Sequence, residues 1–202
     1  MPMVANISKP PPAATHWSTT DVRHIENFMS ELVSRVPLDD MDLLATWCNS
    51  NTVRSGSICS GTECPSLIAR CLSNTLREHD VLLGYDTQYS CEIDEDKQAF
   101  ICRMFPDMTK LYTNALDLCT GWALNYVTSQ PNKVPPVSWL VAGFPCTDVS
   151  SLNPHAKDNR EVCQSGDART GSVFSAIIDT INRFGVQYPA FVVSQESRIR
   201  TE

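Results

Sequence analysis

Apolar side chains recur at helical spacing near the start of the chain. Over 21–36 they fall three or four residues apart, which predicts an amphipathic helix, and a second short helix is predicted over 39–48. Residues 1–18 contain Lys9 followed by three prolines, a composition typical of a flexible Pro-rich tail. We therefore expect this tail to be followed by a helical N-terminal appendage, 19–50, that packs on the main domain.

Beyond residue 50, short apolar runs alternate with amphipathic stretches. The runs predict strands at 57–60, 89–93, 137–144 and 190–194, and a weaker strand near 114–118. The stretches predict helices at 66–77, 95–104, 122–127 and 171–184. Such alternation is typical of an α/β domain with a doubly wound, mainly parallel sheet and helices on both faces. Ligands of such sheets bind beyond the carboxyl ends of the strands, so the residues there are candidates for function.

Composition narrows the class of protein. Of the 202 residues, 42% are hydrophobic and 19% charged, which is typical of a globular domain. No apolar run approaches the roughly 18 residues of a bilayer span, and the N-terminus lacks a secretory pattern, so no membrane partner is expected. The nine cysteines are odd in number and have no metal-type spacing, which favours reduced thiols and no metal site. A net charge of −7 disfavours a stand-alone nucleic-acid clamp.

Three predicted strand ends carry residues suited to a nucleotide-like cofactor. Gly61 lies in the turn after the first strand, where backbone N–H groups can approach a ligand. Glu92, at the end of the second strand, can accept both hydroxyls of a ribose. Asp117 follows the third strand and can accept from an adenine amino group. An ordinary turn, an acidic helix start and a surface acid are the alternatives, but Gly61 and Glu92 together favour the ribose role.

The most specific motif is Gly-Phe-Pro-Cys at the end of the strand predicted over 137–144. Buried free cysteines usually behave as small hydrophobes. Cys146, however, follows Pro145 in a loop at the expected ligand edge, where a thiolate can be exposed and activated. Glu196 ends the last predicted strand, and its carboxylate there could serve as an acid beside the thiol. Without that thiol, Glu196 would be an ordinary surface residue.

Taken in order along the chain, this set of motifs resembles the cytosine-C5 DNA methyltransferase family. The resemblance covers about 55–197 and consists of the Gly61 turn, the acid Glu92, Gly-Phe-Pro-Cys with a following Ser150, the run Arg-Thr-Gly-Ser-Val-Phe from Arg169, and the strand that ends in Glu196. It implies a Rossmann-like fold of the S-adenosyl-L-methionine-dependent methyltransferase type. The implied partner is DNA, and the implied location is the nucleus, or the nucleoid or cytoplasm of a prokaryote.

The resemblance also implies a reaction. Cys146 would attack C6 of a cytosine flipped out of the duplex, and Glu196 would steady or protonate the N3 edge, so that C5 becomes nucleophilic. Ser150 and Arg169 would contact the substrate, and the loop 148–169 would close over the flipped base. The cofactor would be held by strand-end residues: Ser60, Gly61 and Thr62 at its methionine end, Glu92 and Ile93 at its ribose, Asp117 and Leu118 at its adenine, and Phe144 and Pro145 at the pocket floor.

The chain departs from the family pattern in four places. Thr147 and Asp148 follow the cysteine where the family usually has Gln-Pro, and Ser197 and Arg198 follow Glu196 where it usually has Asn-Val. The family turn usually has a second glycine where this chain has Glu63. The chain also ends at Glu202, before the family's target-recognition region and C-terminal motif, so we expect a methyltransferase domain that is incomplete at its C-terminus and needs a complementary segment or subunit. A tRNA-methylating relative shares the core, which leaves RNA open as the substrate.

Two other classes of protein fit part of the pattern. A catalytically inactive module could have kept the fold for cofactor binding or regulation. A nucleotide-binding α/β oxidoreductase would share the glycine turn and the ribose acid. The Gly-Phe-Pro-Cys strand end argues against the oxidoreductase, because hydride transfer needs no such thiol.

Overall fold

Strands and helices alternate along the chain in a computed structural model that describes residues 19–143 and 169–191. The helices are α1 (Thr19–Ser34), α2 (Leu38–Ser50), α3 (Cys64–Arg77), α4 (Glu95–Met104), α5 (Ala115–Leu118) and α6 (Arg169–Phe184). The strands are β1 (Thr52–Ile58), β2 (Gly84–Cys91), β3 (Leu111–Tyr112), β4 (Trp122–Asn125), β5 (Gln130–Lys133), β6 (Trp139–Ala142) and β7 (Tyr188–Phe191). Most of the predicted elements are therefore present, with shifted ends.

The seven strands form one sheet in the order β5-β4-β3-β2-β1-β6-β7. Strand β1 pairs in parallel with both β2 and β6, and the β2–β3 and β6–β7 pairs are also parallel. The β3–β4 and β4–β5 pairs are antiparallel. The chain therefore winds from β1 to β3 on one side and from β6 to β7 on the other, which confirms the predicted doubly wound, mainly parallel sheet. In such a sheet the ligand crevice lies beyond the carboxyl ends of β1 and β6, where the winding reverses.

Separate apolar clusters cover the two faces of the sheet. On one face Tyr89 packs with Ile177 of α6 and Leu118 of α5, all of them fully buried. On the other face Leu67 of α3 packs with Ile101 of α4, and helix α1 joins the same cluster. Burying one such side chain contributes about 1.5–3 kcal/mol, so the two clusters hold the helices against the sheet.

The two N-terminal helices pack on the same side as α3. Val33 of α1 and Cys48 of α2 are buried with Leu76 and Val81, which lie at and just after the end of α3. Helix α2 has two acidic residues in its first turn, where the positive end of the helix dipole favours them. These contacts join both helices to the rest of the fold. The predicted domain boundary at residue 50 stays a prediction, and the predicted tail 1–18 lies outside the described residues.

The strand predicted near 114–118 is wrong. This stretch forms the short helix α5, which begins because the Asn114 side chain accepts a hydrogen bond of 3.0 Å from the N–H of Leu116. The third strand lies earlier in the chain and is only two residues long, Leu111–Tyr112. A two-residue strand is too short to show alternation in the sequence, and the apolar residues that follow it give the stronger strand pattern.

The helix predicted over 122–127 is also wrong. Trp122–Asn125 is strand β4, whose side chains alternate between exposed and buried, and it forms an antiparallel hairpin with β5. Gly121 precedes the strand with φ +88°, a conformation that helices do not use. Ser129 at the turn also has a positive φ, +53°. The spacing of the apolar residues resembled a helix, but the pairing with β3 and β5 decides for a strand.

Candidate functional site

The turn that follows β1 lies at the carboxyl edge of the sheet, where the winding reverses. Gly61 has φ +58°, and among the described residues, its own two chain neighbours apart, no heavy atom lies within 4 Å of the position that a Cβ would take there. Cys59 and Glu63 are also left-handed, with φ +52° and +60°. The turn is closed by the N–H of Glu63, which donates to the carbonyl of Ser60 at 2.9 Å. One side of Gly61 is therefore open to a ligand that approaches the backbone.

The carboxylate of Glu92 joins the end of β2 to this turn. Its Oε2 accepts a hydrogen bond of 2.7 Å from the N–H of Gly61. Its Oε1 accepts from the N–H groups of Ile93 and Asp94 at 3.0 and 3.1 Å. A carboxylate has about four lone-pair sites, so three backbone donors leave about one for a ligand hydroxyl. Glu92 is thus fixed in place by three backbone N–H groups, with about one lone-pair site left, and its ribose role stays a prediction.

Gln98 of α4 is hydrogen-bonded to the backbone of Glu92. Its side-chain Nε2 donates to the carbonyl oxygen of Glu92 at 2.5 Å, and Gln98 is buried. The N–H of Glu92 in turn donates to the carbonyl of Tyr112 in β3 at 3.0 Å. The sequence analysis missed Gln98, because a glutamine on an amphipathic helix carries no distinguishing signal. Its hydrogen bond links α4 to the acid at the end of β2.

Asp117 and Glu92 both act on the pKa of the Cys91 thiol. Burial raises the pKa of the Cys91 thiol well above its usual value, and Cys59, Glu92 and Asp117 raise it further. Both carboxylates therefore lie within electrostatic range of one thiol at the end of β2. Asp117 is half-buried, in α5. The Cys91 thiol stays protonated and packs in the core, as expected for a buried cysteine.

The other candidate residues that the structure describes differ in how exposed they are. Thr62 and Ile93 are exposed, Ile93 with 59% of its surface accessible. Ser60 is half-buried, and its N–H donates to the carbonyl of Cys91 at 3.1 Å. Leu118 has none of its surface accessible and packs in the core. The structure thus brings the Gly61 turn, Glu92 and Ile93 to one edge, and buries Leu118.

Glu63 points into the protein beneath the turn. Only 1% of it is exposed, and its carboxylate accepts hydrogen bonds from the hydroxyls of three serines. The serines are Ser57 at 2.6 Å, Ser90 at 2.5 Å and Ser66 at 2.7 Å. The sequence analysis treated Glu63 only as a departure in the turn and missed this cluster. A signal was available, because parallel strands are usually continuous apolar runs, and serines at inward positions of β1 and β2 interrupt that pattern.

Two curated proteins are related to the chain in sequence. Both are called "DNA (cytosine-5-)-methyltransferase DMT5". The protein from Cryptococcus neoformans var. grubii is 32% identical over 138 residues, which cover 68% of this chain and 6% of the relative. The protein from Verticillium dahliae is 33% identical over 103 residues, which cover 48% of this chain and 4% of the relative. The chain belongs to the cytosine-C5 DNA methyltransferase family. The predicted family is thereby confirmed, for a chain that spans only a small part of the length of these methyltransferases.

Family models and solved structures add no support for the family beyond these two relatives. No protein-family model matches it. The solved structure "Crystal Structure of Streptomyces venezuelae DesVI" aligns with 94% of this chain and 61% of its own, with a TM-score of 0.39 and 13% identity. The doubly wound fold is established by the strand order and not by that likeness.

Several residues expected from the methyltransferase resemblance lie outside the described part of the chain. They are Phe144, Pro145, Cys146, Ser150 and Glu196, together with the interior of the loop 148–169. Arg169 is described only as the first backbone position of α6. The described chain stops at Gly143, whose N–H donates to the carbonyl of Ile58 at 2.9 Å, next to the turn after β1. The Gly-Phe-Pro-Cys motif thus begins beside the Gly61 turn.

Within 19–143 and 169–191, no group of three or more His, Cys, Asp or Glu side chains is arranged to hold a metal ion. In the same part of the chain, no helix has both the length and the apolar character to cross a bilayer.

Proposed function

We propose that the chain is the cofactor-binding part of a DNA cytosine-C5 methyltransferase that uses S-adenosyl-L-methionine. The observation that carries this proposal is the 2.7 Å hydrogen bond from the Gly61 N–H to the Glu92 carboxylate, at the edge where the winding of the sheet reverses. This bond brings the glycine turn and the acid together next to the start of Gly-Phe-Pro-Cys. The names of the two relatives support the same class of reaction.

The residues at this edge fit the proposed cofactor. The open side of Gly61, with Ser60 and Thr62 beside it, would take the methionine end, because within 19–143 and 169–191 no atom beyond the chain neighbours lies within 4 Å of a Cβ position there. The remaining lone pair of Glu92 would accept one ribose hydroxyl. The exposed Ile93 side chain would pack on the ribose or the base. When bound, the cofactor supplies an electrophilic methyl group.

The adenine end of the cofactor would lie toward α5. Asp117 would accept a hydrogen bond from the adenine amino group, and Leu118, which is buried, would support the adenine pocket from the core. Phe144 and Pro145 would complete the floor of the pocket, directly after the described end of β6 at Gly143. These roles follow from the family resemblance and from the position of the strand ends.

The proposed reaction proceeds through a covalent bond to the base. The Cys146 thiolate would attack C6 of a cytosine extruded from the duplex, while Glu196 holds or protonates N3, so that C5 gains the electron pair. C5 would take the methyl group as its bond to the sulfonium sulfur breaks, which would leave S-adenosylhomocysteine. Loss of the C5 proton to a base would then restore the double bond and expel the Cys146 thiolate. Ser150 and Arg169 would contact the substrate.

Charge bears on the DNA contacts. The chain carries −7, whereas phosphate contacts need Lys and Arg. We therefore propose that a complementary segment or subunit supplies much of the DNA contact, and that the enzyme acts in the nucleus.

A trapping experiment tests the proposal. The chain, alone and together with the complementary segment proposed above, is incubated with S-adenosyl-L-methionine and duplex DNA that contains 5-fluorocytosine. Because fluorine cannot leave C5 as a proton does, thiolate expulsion is blocked, and we expect a denaturant-resistant protein–DNA adduct when that segment is present. Cys146→Ser should abolish the adduct, and Cys163→Ser, within the predicted loop 148–169, should not.

Each other outcome of this experiment changes the assignment. An adduct formed by Cys146→Ser would overturn the role of Cys146. An adduct on 5-fluorocytosine RNA, but not on DNA, would replace the substrate. Binding of S-adenosylhomocysteine without any adduct would favour the catalytically inactive module.

A further inference from the structure

A buried acid lies directly beneath the proposed cofactor turn. Glu63 is 1% exposed, yet the one ion pair within 19–143 and 169–191 joins Arg35 to Glu31, on the surface of α1 and the loop after it. No cation of this described part therefore pairs with the Glu63 carboxylate. A buried carboxylate is costly unless other groups replace its hydration, so the contacts of Glu63 should have a purpose.

Hydroxyl groups from three different elements replace that hydration. Ser57 of β1 and Ser90 of β2 donate to Oε2, and Ser66 of α3 donates to Oε1. Hydrogen bonds to an ionised acceptor are short and strong, and the distances here are 2.5–2.7 Å. The single side chain of Glu63 thus ties together both central strands and the helix that follows the turn.

The same side chain is connected to the turn itself. The Glu63 N–H closes the turn on the Ser60 carbonyl at 2.9 Å, and the Ser90 hydroxyl lies 2.7 Å from that of Ser60. Ser60 precedes Gly61, whose N–H donates to Glu92. The turn is therefore held from below by Glu63 and from the strand edge by Glu92.

The backbone conformation shows what the carboxylate adds. At φ +60° a residue with a side chain is strained relative to the right-handed conformation, whereas glycine is not. Position 63 would suit glycine on backbone grounds alone. A glutamate at this position is explained by the three hydrogen bonds that its carboxylate accepts.

We infer that Glu63 is a positioning residue for the proposed methyl-donor site, because its buried carboxylate holds Ser60 and Gly61 in the conformation that a cofactor meets. The inference rests on the proposed cofactor binding. It predicts that Glu63 acts on cofactor affinity through the turn, without touching the cofactor.

The test compares two replacements of Glu63 in the full chain. Glu63→Gly relieves the backbone strain but removes the carboxylate, and we expect about tenfold weaker binding of S-adenosylhomocysteine in calorimetric titration, the equivalent of one lost hydrogen bond. Glu63→Gln keeps an oxygen acceptor, and the Ser66 hydroxyl can turn to accept from the new amide, since it also lies 3.1 Å from Thr87 Oγ1. We expect Glu63→Gln to recover most of the affinity.

A second measurement does not depend on any ligand. In the unligated chain, amide hydrogen exchange at Gly61 reports whether its N–H still donates to Glu92. We expect exchange about tenfold faster in Glu63→Gly and little changed in Glu63→Gln. The control is Thr180→Val in α6, which removes another buried hydroxyl, bonded to the Ala176 carbonyl at 2.7 Å. It should lower stability and leave both readouts unchanged.

The outcomes separate this inference from the proposed function. If wild type binds S-adenosylhomocysteine, and Glu63→Gly binds it as tightly with unchanged Gly61 exchange, the positioning role is overturned and the proposed function stands. An equal loss of affinity in Thr180→Val would reduce the effect to general destabilisation and also overturn the role. Failure of wild type to bind overturns the proposed cofactor function, and the positioning role with it.

Discussion

Replacing Glu92 by glutamine changes one oxygen of the carboxylate that joins β2 to the Gly61 turn. Both oxygens face backbone donors, Gly61 on one side and Ile93 with Asp94 on the other. An amide has one oxygen and one NH₂ group, so in either orientation the NH₂ group faces at least one N–H. Backbone N–H groups cannot reverse, and the lost acceptor therefore has no substitute.

The magnitude follows from these contacts. Glu92 is only 6% exposed, so water replaces the lost acceptor poorly. A buried donor left without a partner costs about 1–3 kcal/mol, and a hydrogen bond to a charged group contributes about 1.5–3 kcal/mol. We expect Glu92→Gln to lower the free energy of unfolding by about 2–4 kcal/mol.

Urea unfolding followed by circular dichroism at neutral pH measures this loss. The matched control is Glu95→Gln, the same chemical change three residues later at an exposed position in the first turn of α4. The control should unfold close to wild type. If Glu92→Gln were as stable as Glu95→Gln, the Glu92 carboxylate would not be holding the turn, and the site as described would be refuted.

Two further predictions concern the core around the site. A Cβ at Gly56 would lie 2.6 Å from Cζ of the buried Tyr89 ring, so Gly56→Ala should lower the free energy of unfolding by about 1–3 kcal/mol. A urea midpoint equal to that of wild type would contradict this. Burial raises the pKa of Cys91 well above 9.0 and that of Tyr112 from 10.0 to about 12. Since both pKa values are raised in the folded state, these groups lose their protons more readily in the unfolded chain. Their contribution to the free energy of unfolding should be constant below about pH 8 and should fall as the pH rises above 9. A free energy of unfolding that stays constant from pH 8 to 11 in urea unfolding would contradict this.

Elements with a long amphipathic period could be predicted from the sequence. Helix α4 has the predicted bounds, Glu95–Met104, and α3 and α6 begin two residues earlier than predicted. Their apolar faces pack on the sheet, so the periodicity of the sequence and the burial in the fold have the same cause. Strand ends are located less sharply: β1, β2 and β6 end at Ile58, Cys91 and Ala142, each two residues before the predicted end.

The hairpin of β4 and β5 could not be predicted in this way. Its conformation depends on Asn125, which is fully buried and bonds to Leu111, Thr109, Val127 and Asn132. Two of these partners lie 14 and 16 residues earlier in the chain. The local spacing of apolar residues does not depend on contacts so distant in the sequence. That spacing is also compatible with a helix, and it predicted one here.

The two acids of the site show why residue type alone did not define their roles. Glu92 accepts from backbone N–H groups, whose direction is set by the chain, whereas Glu63 accepts from serine hydroxyls, which can rotate and exchange donor for acceptor. The same substitution, glutamate to glutamine, should therefore be poorly tolerated at Glu92 and well tolerated at Glu63. Both acids are buried, so a difference in stability between the two glutamine variants would come from their partners and not from burial. Equal losses in urea unfolding would mean that desolvation of the charge, and not the kind of donor, decides what these carboxylates contribute.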